Sequence, residues 1–222
     1  MKLLMLALLV LPATHAHAAD IEDYCEQLAR RASVKIIYMD LPMSEDHSHT
    51  AASLKVLSGN VLGQQHNVYG LTYAKPKLDY EIRANFSKSP EGKICMIPDV
   101  TIKAGFTAMN VYLAKEIPDS CRKRIIREHE LEHVATWKSH LRAGTKLIEN
   151  PLRQAFAKPR VYESKSLAEQ DLRPWVDEVI KPLERRLFQS LTNAQLAIDS
   201  PLSYGYVETR LRACPPTQGG NL

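Results

Sequence analysis

The sequence predicts an α+β fold, in which an antiparallel β-meander precedes a long helix and a helical C-terminal half. Three stretches carry this prediction. Residues 67–117 show the two-residue alternation of half-buried strands, residues 119–144 carry an apolar stripe at helical spacing, and a second such stripe runs over residues 166–198. Strands that precede the helices, rather than alternate with them, are typical of α+β domains.

The first 18 residues have the pattern of a secretory signal peptide. Lys2 supplies the positive charge, residues 3–11 the short apolar run, and Ala16-His17-Ala18 the small-x-small cleavage site. The apolar run is too short to span a bilayer, and no later segment is long enough either, so we expect no transmembrane anchor. The remaining residues, 19–222, fit a single domain of an exported, bacterial-type protein that is periplasmic or secreted.

The charge pattern argues against a nucleic-acid partner. The net charge is +4, and basic and acidic residues are interleaved along the chain. The densest basic run, Arg122-Lys123-Arg124 with Arg127, is typical of the solvated face of a helix.

Four cysteines remain after the cleavage site, and they predict two disulfides because the chain is exported. Four cysteines allow three pairings. We expect Cys95–Cys121, which would tie a strand to the start of the central helix, and Cys25–Cys214, which would join the two ends of the domain. None has C-x-x-C spacing, so a cysteine-bound metal is not expected.

Before the predicted meander, the sequence predicts a short amphipathic helix over residues 21–31, a strand over 34–39 and a polar segment over 40–60. This polar segment contains Asp46-His47-Ser48-His49, whose two histidines and aspartate could hold a metal. Two side chains at i and i+2 point the same way only in an extended segment. An ordinary exposed loop is therefore a better interpretation of these residues than a metal site.

The strand pattern is clearest over residues 78–86, where apolar and polar residues alternate without an error. Residues 68–73 pair with this strand in the prediction, across a turn at Lys75-Pro76-Lys77, and residues 87–93 form the next turn. Three further strands then extend the meander, over residues 94–97, 100–104 and 111–117.

The central helix has clear signals at both ends. Asp119 or Ser120 follows a proline and can cap the first turn, and Gly144 offers a stop. Apolar residues form one stripe along this helix: Ile126, Val134, Trp137 and Leu141. Beyond it we expect helices over residues 145–157 and 166–198, the latter broken at Pro174 and Pro182, and either a strand or a turn over residues 204–211.

The central helix carries the motif H-E-x-x-H at His129-Glu130 and His133. Positions i and i+4 share one helix face, so the two imidazoles can bind one Zn²⁺ ion. The glutamate can act as a general base toward water bound to that ion. A carboxylate in the apolar stripe would be unfavourable without such a partner. The motif therefore predicts a zinc site on this helix.

In this helix the chain resembles the zincin metallopeptidases, whose active-site helix carries the same motif. The resemblance implies that His129 and His133 bind zinc, that Glu130 is the general base, and that the substrate is a peptide or protein. It also implies that residues 110–117 form an edge strand that binds an extended peptide, although an ordinary inner strand fits the pattern equally well. The same letters read as the inverted motif H-x-x-E-H, with Glu132 as base. The apolar stripe favours Glu130, because it places Glu130 inward and Glu132 toward solvent.

The third zinc ligand is the open position in this scheme. His140 follows on the same face but stands about 10 Å along the axis from His133 if the helix continues to Gly144. A downstream carboxylate is the remaining class, with His47 or His49 as outside candidates. The candidate carboxylates are Glu149, Glu163, Glu169 and Glu178.

Two functions follow from the motif. The first is an exported zinc-dependent peptidase, in which zinc-activated water attacks the scissile carbonyl and Glu130 is the base. The second is a zincin-like domain that binds a metal or a protein without turnover. A three-ligand site beside an open cleft favours the first function, and a sealed site with four ligands favours the second.

Overall fold

The computed structural model describes residues 16–59 and 67–216, and the predicted signal peptide lies mostly outside this range. The α+β class is confirmed. The described elements are α1 (Ala16–Ala29), β1 (Ser33–Met39), β2 (Ser44–Asp46), α2 (Ala51–Leu57), β3 (Gly70–Lys88), β4 (Ile94–Leu113), α3 (Ser120–Phe156), β5 (Arg160–Tyr162), α4 (Lys165–Ile198) and α5 (Pro201–Arg212).

The sheet is organised around β4, the longest strand. β3 pairs with it antiparallel along its whole length, from Lys88 opposite Ile94 to Gly70 opposite Leu113. The other edge of β4 is covered by three short strands in succession: β5 antiparallel, then β1 and β2 parallel. The sheet is therefore a long β3–β4 hairpin, and the other edge of β4 carries both parallel and antiparallel strands. The prediction of a simple antiparallel meander is wrong.

Three predicted interruptions of the strands are absent. Lys75-Pro76-Lys77 lies inside β3, where the pairing with β4 shifts register between Lys75 and Pro76. A proline is tolerated there because a bulge relaxes the ladder and because β3 pairs with β4 alone among the described strands. The three strands expected over residues 94–117 form one strand, β4, which ends at Leu113. The turn predicted over residues 87–93 does join β3 to β4, with Gly92 at φ +88°.

Residues 110–112 lie between two strands. They pair with β2 on one side and with Leu71 to Tyr73 of β3 on the other. An added peptide strand has no free edge to pair with at this place, so the inner-strand interpretation is the right one.

Helix α3, which carries the H-E-x-x-H motif, begins where the sequence predicts. The Asp119 carboxylate accepts a hydrogen bond of 2.8 Å from the backbone N–H of Arg122. The predicted stop at Gly144 is wrong, because α3 continues to Phe156. A Cβ atom at Gly144 would overlap the Leu187 side chain of α4, so this glycine allows two helices to approach closely and does not end one.

The C-terminal half is helical, as predicted, but its helices are longer. α4 runs through Pro174 and Pro182 without a break, and residues 204–211 belong to α5. Each internal proline removes one helical hydrogen bond. A continuous buried face holds α4 in place: Trp175, Val176, Ile180, Leu183, Leu187 and Leu191.

The main core lies between the sheet and the helices α3 and α4. It joins apolar residues of all three layers, among them Val100, Ile102, Val111, Ile126, Leu141, Leu152, Trp175 and Ile180. Because this cluster is buried, one face of α3 points toward the core, and that face carries the H-E-x-x-H motif.

The structure contains two disulfides, as predicted, but the predicted pairing is wrong. Cys25 pairs with Cys95 and Cys121 pairs with Cys214. α1 packs against β4, which brings Cys25 to the start of that strand, whereas α5 returns to the first turn of α3. The second disulfide therefore fixes the end of α5 on α3, next to an ion pair between Arg210 and Glu128.

In the described residues, no helix is long and apolar enough to cross a membrane. The two disulfides are consistent with an oxidising, non-cytoplasmic compartment. Export itself stays a prediction from the sequence.

Candidate metal centre

The two motif histidines point into the protein from α3. His129 is 8% exposed and His133 is 7% exposed. Their ring centroids lie 5.0 Å apart and the ring planes are nearly perpendicular. The helix therefore brings the two imidazoles together on its buried face, as the motif predicts.

Asp199 completes a group of three possible metal ligands. Its Oδ1 atom lies 3.4 Å from His129 Nε2 and 3.1 Å from His133 Nε2. Donor atoms around one tetrahedral zinc ion stand roughly 3.3 Å apart, since each is about 2.0–2.1 Å from the metal. The three side chains thus have a spacing that one zinc ion can bridge.

The turn between α4 and α5 places Asp199 at this position. Asp199 is the residue after α4, and Ser200 caps α5, where its hydroxyl accepts a hydrogen bond from the Ser203 backbone N–H. Pro201 occupies the first turn of α5, where a missing N–H is tolerated. The pattern Asp199-Ser200-Pro201 is typical of a junction between two helices. This signal in the sequence would have placed the Asp199 carboxylate in a turn.

The candidates named from the sequence for the third ligand lie elsewhere. His140 is exposed on α3. Each of the four glutamates forms a surface ion pair: Glu149 with Arg153, Glu163 with Lys93, Glu169 with Lys165, and Glu178 with Arg160. Within the described residues, the ligand group contains none of them.

The loop histidines are also outside this group. His47 Nε2 lies 2.9 Å from a Glu45 carboxylate oxygen, and His49 Nε2 lies 3.5 Å from one of Asp46. Both histidines are therefore engaged by carboxylates of their own segment, as expected for a surface loop.

Asp119, Cys121 and Cys214 also lie close together. The two sulfur atoms are joined in a disulfide and the carboxylate caps α3, so this group has no free thiolate for a metal.

Gln195 orients His133 from α4. The His133 Nδ1–H donates a 2.7 Å hydrogen bond to Gln195 Oε1. This bond places a proton on Nδ1, so Nε2, which lies 3.1 Å from Asp199 Oδ1, is the nitrogen that would bind a metal. Gln195 is itself only 9% exposed, so its amide is held in place.

His129 has no comparable partner. Its ring is buried, and neither nitrogen forms a hydrogen bond among the described residues. A buried polar atom without a partner is unfavourable by roughly 1–3 kcal/mol. A metal ion on Nε2 would give that nitrogen a closer partner than the Asp199 oxygen 3.4 Å away, so the residues present fit a bound zinc ion.

The charges of the group also suit a cation. Burial raises the pKa of Asp199, but the adjacent His129 and His133 outweigh burial and hold that pKa well below its usual range. The Asp199 carboxylate therefore stays ionised and available as a ligand at neutral pH.

Glu130 lies inward beside the ligand group, whereas Glu132 is exposed, as the apolar stripe predicts. The Thr72 hydroxyl donates to Glu130 Oε2 over 2.8 Å and also lies 2.9 Å from the Glu130 carbonyl oxygen. Glu130 is 5% exposed, and burial raises the pKa of its carboxyl group. A carboxylate with a raised pKa is a stronger base.

Gly70 of β3 lies directly against this carboxylate. A Cβ atom at Gly70 would overlap the Glu130 side chain and would stand 2.7 Å from Ile126 Cγ2. The glycine lets the strand approach α3 closely, and the approach in turn brings Thr72 within reach of Glu130.

A cavity of about 660 Å³ opens beside the group. His129, Glu130 and Asp199 line one end, and Tyr204 of α5 stands next to them with its ring centroid 5.5 Å from that of His129. Burial and the nearby Asp199 raise the pKa of Tyr204, so its hydroxyl stays protonated. The side chains Thr72, Gln195, Asp199 and Tyr204 were not predicted from the sequence.

Replacing Gln195 with leucine tests the role of this amide. We expect a zinc affinity about 10–100-fold weaker, because His133 loses the partner that fixes its tautomer and orientation. Competition with a chromophoric chelator measures the affinity. Gln189→Leu is the matched control, since Gln189 lies on the exposed face of α4 and donates a hydrogen bond to Asn193 of the same helix. Equal zinc affinity in the two variants would show that Gln195 does not support metal binding by His133.

Comparison with known proteins adds no relative: the chain matches no family model, no curated protein and no solved structure. The resemblance to the zincin metallopeptidases therefore stays a prediction from the sequence of α3.

Proposed function

We propose that this protein is an exported, zinc-dependent peptidase that hydrolyses peptide bonds. One observation carries the proposal. The Glu130 carboxylate is buried beside the His129, His133 and Asp199 group, and Glu130, His129 and Asp199 line the same cavity. A base, a metal-ligand group and a space for substrate are the three parts that metal-assisted hydrolysis requires.

His129, His133 and Asp199 would hold the zinc ion. Three protein ligands leave a fourth position for water or substrate, which is the arrangement of catalytic rather than structural zinc sites. When bound, zinc polarises the scissile carbonyl and makes water more acidic.

Glu130 is the general base in this proposal. Its carboxylate accepts a proton from the attacking water and later gives it to the departing amine. Thr72 holds one carboxylate oxygen, Oε2, and so limits the rotation of the side chain. Tyr204 lines the same cavity beside Asp199, and we assign its protonated hydroxyl as a donor to the negative charge that develops during attack on the carbonyl.

The second candidate is a domain that binds metal or a protein without turnover. A sealed site with four protein ligands would favour it. The described residues offer three ligands, and the cavity reaches His129 and Glu130, which supports the peptidase instead. For the peptidase the partner is a peptide or protein substrate, and the two disulfides support a periplasmic or secreted location.

Removal of the metal tests the proposal. The mature protein should cleave a reduced and carboxymethylated protein, and 1,10-phenanthroline should abolish the cleavage. One equivalent of Zn²⁺ should restore it and Mg²⁺ should not, because imidazole ligands suit zinc. Cleavage that persists without zinc, or no cleavage by the zinc-loaded protein, would contradict the proposal.

A further inference from the structure

A second concave surface lies on the outer side of α3, away from the metal-ligand group. This surface, the α3 groove, is lined by Lys138, Ser139, Arg142, Lys146 and two alanines of the helix, together with Asp40. Its volume is about 450 Å³, which lies within the range of sites that bind small ligands. None of these residues lines the cavity beside the metal-ligand group, so the groove is a separate candidate site.

The α3 groove holds more positive than negative charge. Its three cations, Lys138, Arg142 and Lys146, follow one another at intervals of four residues and so share one face of the helix. Asp40 is the one carboxylate among the described lining residues, and it pairs with Lys138 over 2.9 Å. Within the described part of the chain, Arg142 and Lys146 form no ion pair. By contrast, several arginines elsewhere on α3 are each paired with a carboxylate: Arg122, Arg124, Arg127 and Arg153.

Arg142 is held in position although it is exposed. Its guanidinium carbon lies 4.7 Å from the centroid of the Tyr38 ring. Stacking of this kind uses the face of the guanidinium and leaves its N–H edge free to donate to two oxygen atoms of one anion. Short side chains, among them Ser139, separate the long basic ones along the groove, so an anion can approach the cations closely.

We propose that the α3 groove binds a phosphate group, carried either by a soluble phosphomonoester or by a lipid headgroup. A phosphomonoester has a charge of about −1.5 to −2 at neutral pH, which matches the two cations that lack a carboxylate partner. Arg142 donates two parallel hydrogen bonds to the phosphate oxygens, and Lys146 supplies the second charge. The proposal does not depend on the peptidase function, because the groove shares no described residue with the cavity of that site.

Titration with glycerol phosphate, followed by phosphorus NMR in a buffer without other phosphate, tests the site. The wild-type protein should bind it saturably. Replacing both Arg142 and Lys146 with glutamine should weaken binding at least about 10-fold, because hydrogen bonds to charged groups are lost. The matched control replaces Lys123 and Arg124 with glutamine. It removes the same charge from exposed residues of the same helix outside the groove, and should bind like the wild type.

Lys146→Gln alone separates loss of the site from damage to the fold. Lys146 is exposed and has no ion pair among the described residues, so its replacement should leave the thermal unfolding midpoint unchanged. Binding of glycerol phosphate should still weaken by about 2–5-fold, the usual effect of one exposed charge pair. Wild-type affinity in this variant and in the double variant would overturn the proposal.

Sedimentation with vesicles identifies the source of the phosphate. Vesicles of phosphatidylcholine with phosphatidic acid are compared with vesicles of phosphatidylcholine alone. Binding to the first kind only, lost in the double variant of Arg142 and Lys146, supports the site with a lipid headgroup as its ligand. Saturable binding of glycerol phosphate without binding to either kind of vesicle supports it with a soluble ligand. If the wild type binds neither probe, or if the Lys123 and Arg124 control loses binding equally, the proposal is overturned.

Discussion

Replacing Glu130 with glutamine is expected to lower kcat for peptide hydrolysis by a factor of about 10²–10⁴. Glutamine keeps the shape of the side chain and can still accept the hydrogen bond from Thr72. It cannot accept a proton from the attacking water. The zinc content should stay at the wild-type level, because Glu130 is not in the ligand group.

Glu132→Gln is the matched control for this experiment. Glu132 stands two residues away on the same helix and is exposed, so its loss should change kcat little. Both variants are assayed on the same unfolded substrate, with the zinc content measured in each. If Glu132→Gln is the inactive variant, the inverted motif is in use and the two roles are exchanged.

Replacing Asp199 with alanine is expected to weaken zinc binding by more than about 100-fold. Loss of an outer-shell partner alone typically weakens metal binding by 10–100-fold, and Asp199 is assigned as a direct ligand. Only His129 and His133 would remain. His133→Ala should have an effect of the same kind, because it removes another member of the group.

His140→Ala is the control for zinc binding, since His140 lies on the same helix but is exposed. Its affinity should equal that of the wild type. Asp199→Asn keeps the size of the side chain at the junction of α4 and α5, and so separates loss of the ligand from damage to the turn. Wild-type affinity in Asp199→Ala would exclude Asp199 from the metal site.

The site helix was largely predictable because its signals are local. A capping aspartate, an apolar stripe and the spacing of His129 and His133 all lie within one helix. The stripe alone distinguished the buried Glu130 from the exposed Glu132, since the face that packs on the sheet is set by the period of the helix.

The third ligand was not predictable in the same way. Asp199 lies 66 residues after His133, and only the packing of α4 on α3 brings them together. The disulfides have the same character: an even number of cysteines predicts two bonds, but the pairing of Cys121 with Cys214 depends on where α5 ends.

The wrong boundaries have a common physical cause. Gly144, Pro76 and Pro182 are all local signals for a break, and at each of them tertiary packing outweighs the signal. Gly144 accommodates Leu187, Pro76 sits at a register shift of a strand with a single described neighbour, and Pro182 lies on a helix held by a long buried face. Local propensity is a weaker effect than burial of an entire face.

The position of zinc in crystals of the metal-loaded protein tests the central claim most directly. Anomalous scattering at the zinc edge should show one ion, about 2.0–2.2 Å from His129, His133 and an Asp199 carboxylate oxygen. Glu130 should lie beside the ion and outside its ligands. A zinc ion bound elsewhere, no bound zinc, or a site in which another residue replaces Asp199 would contradict the account.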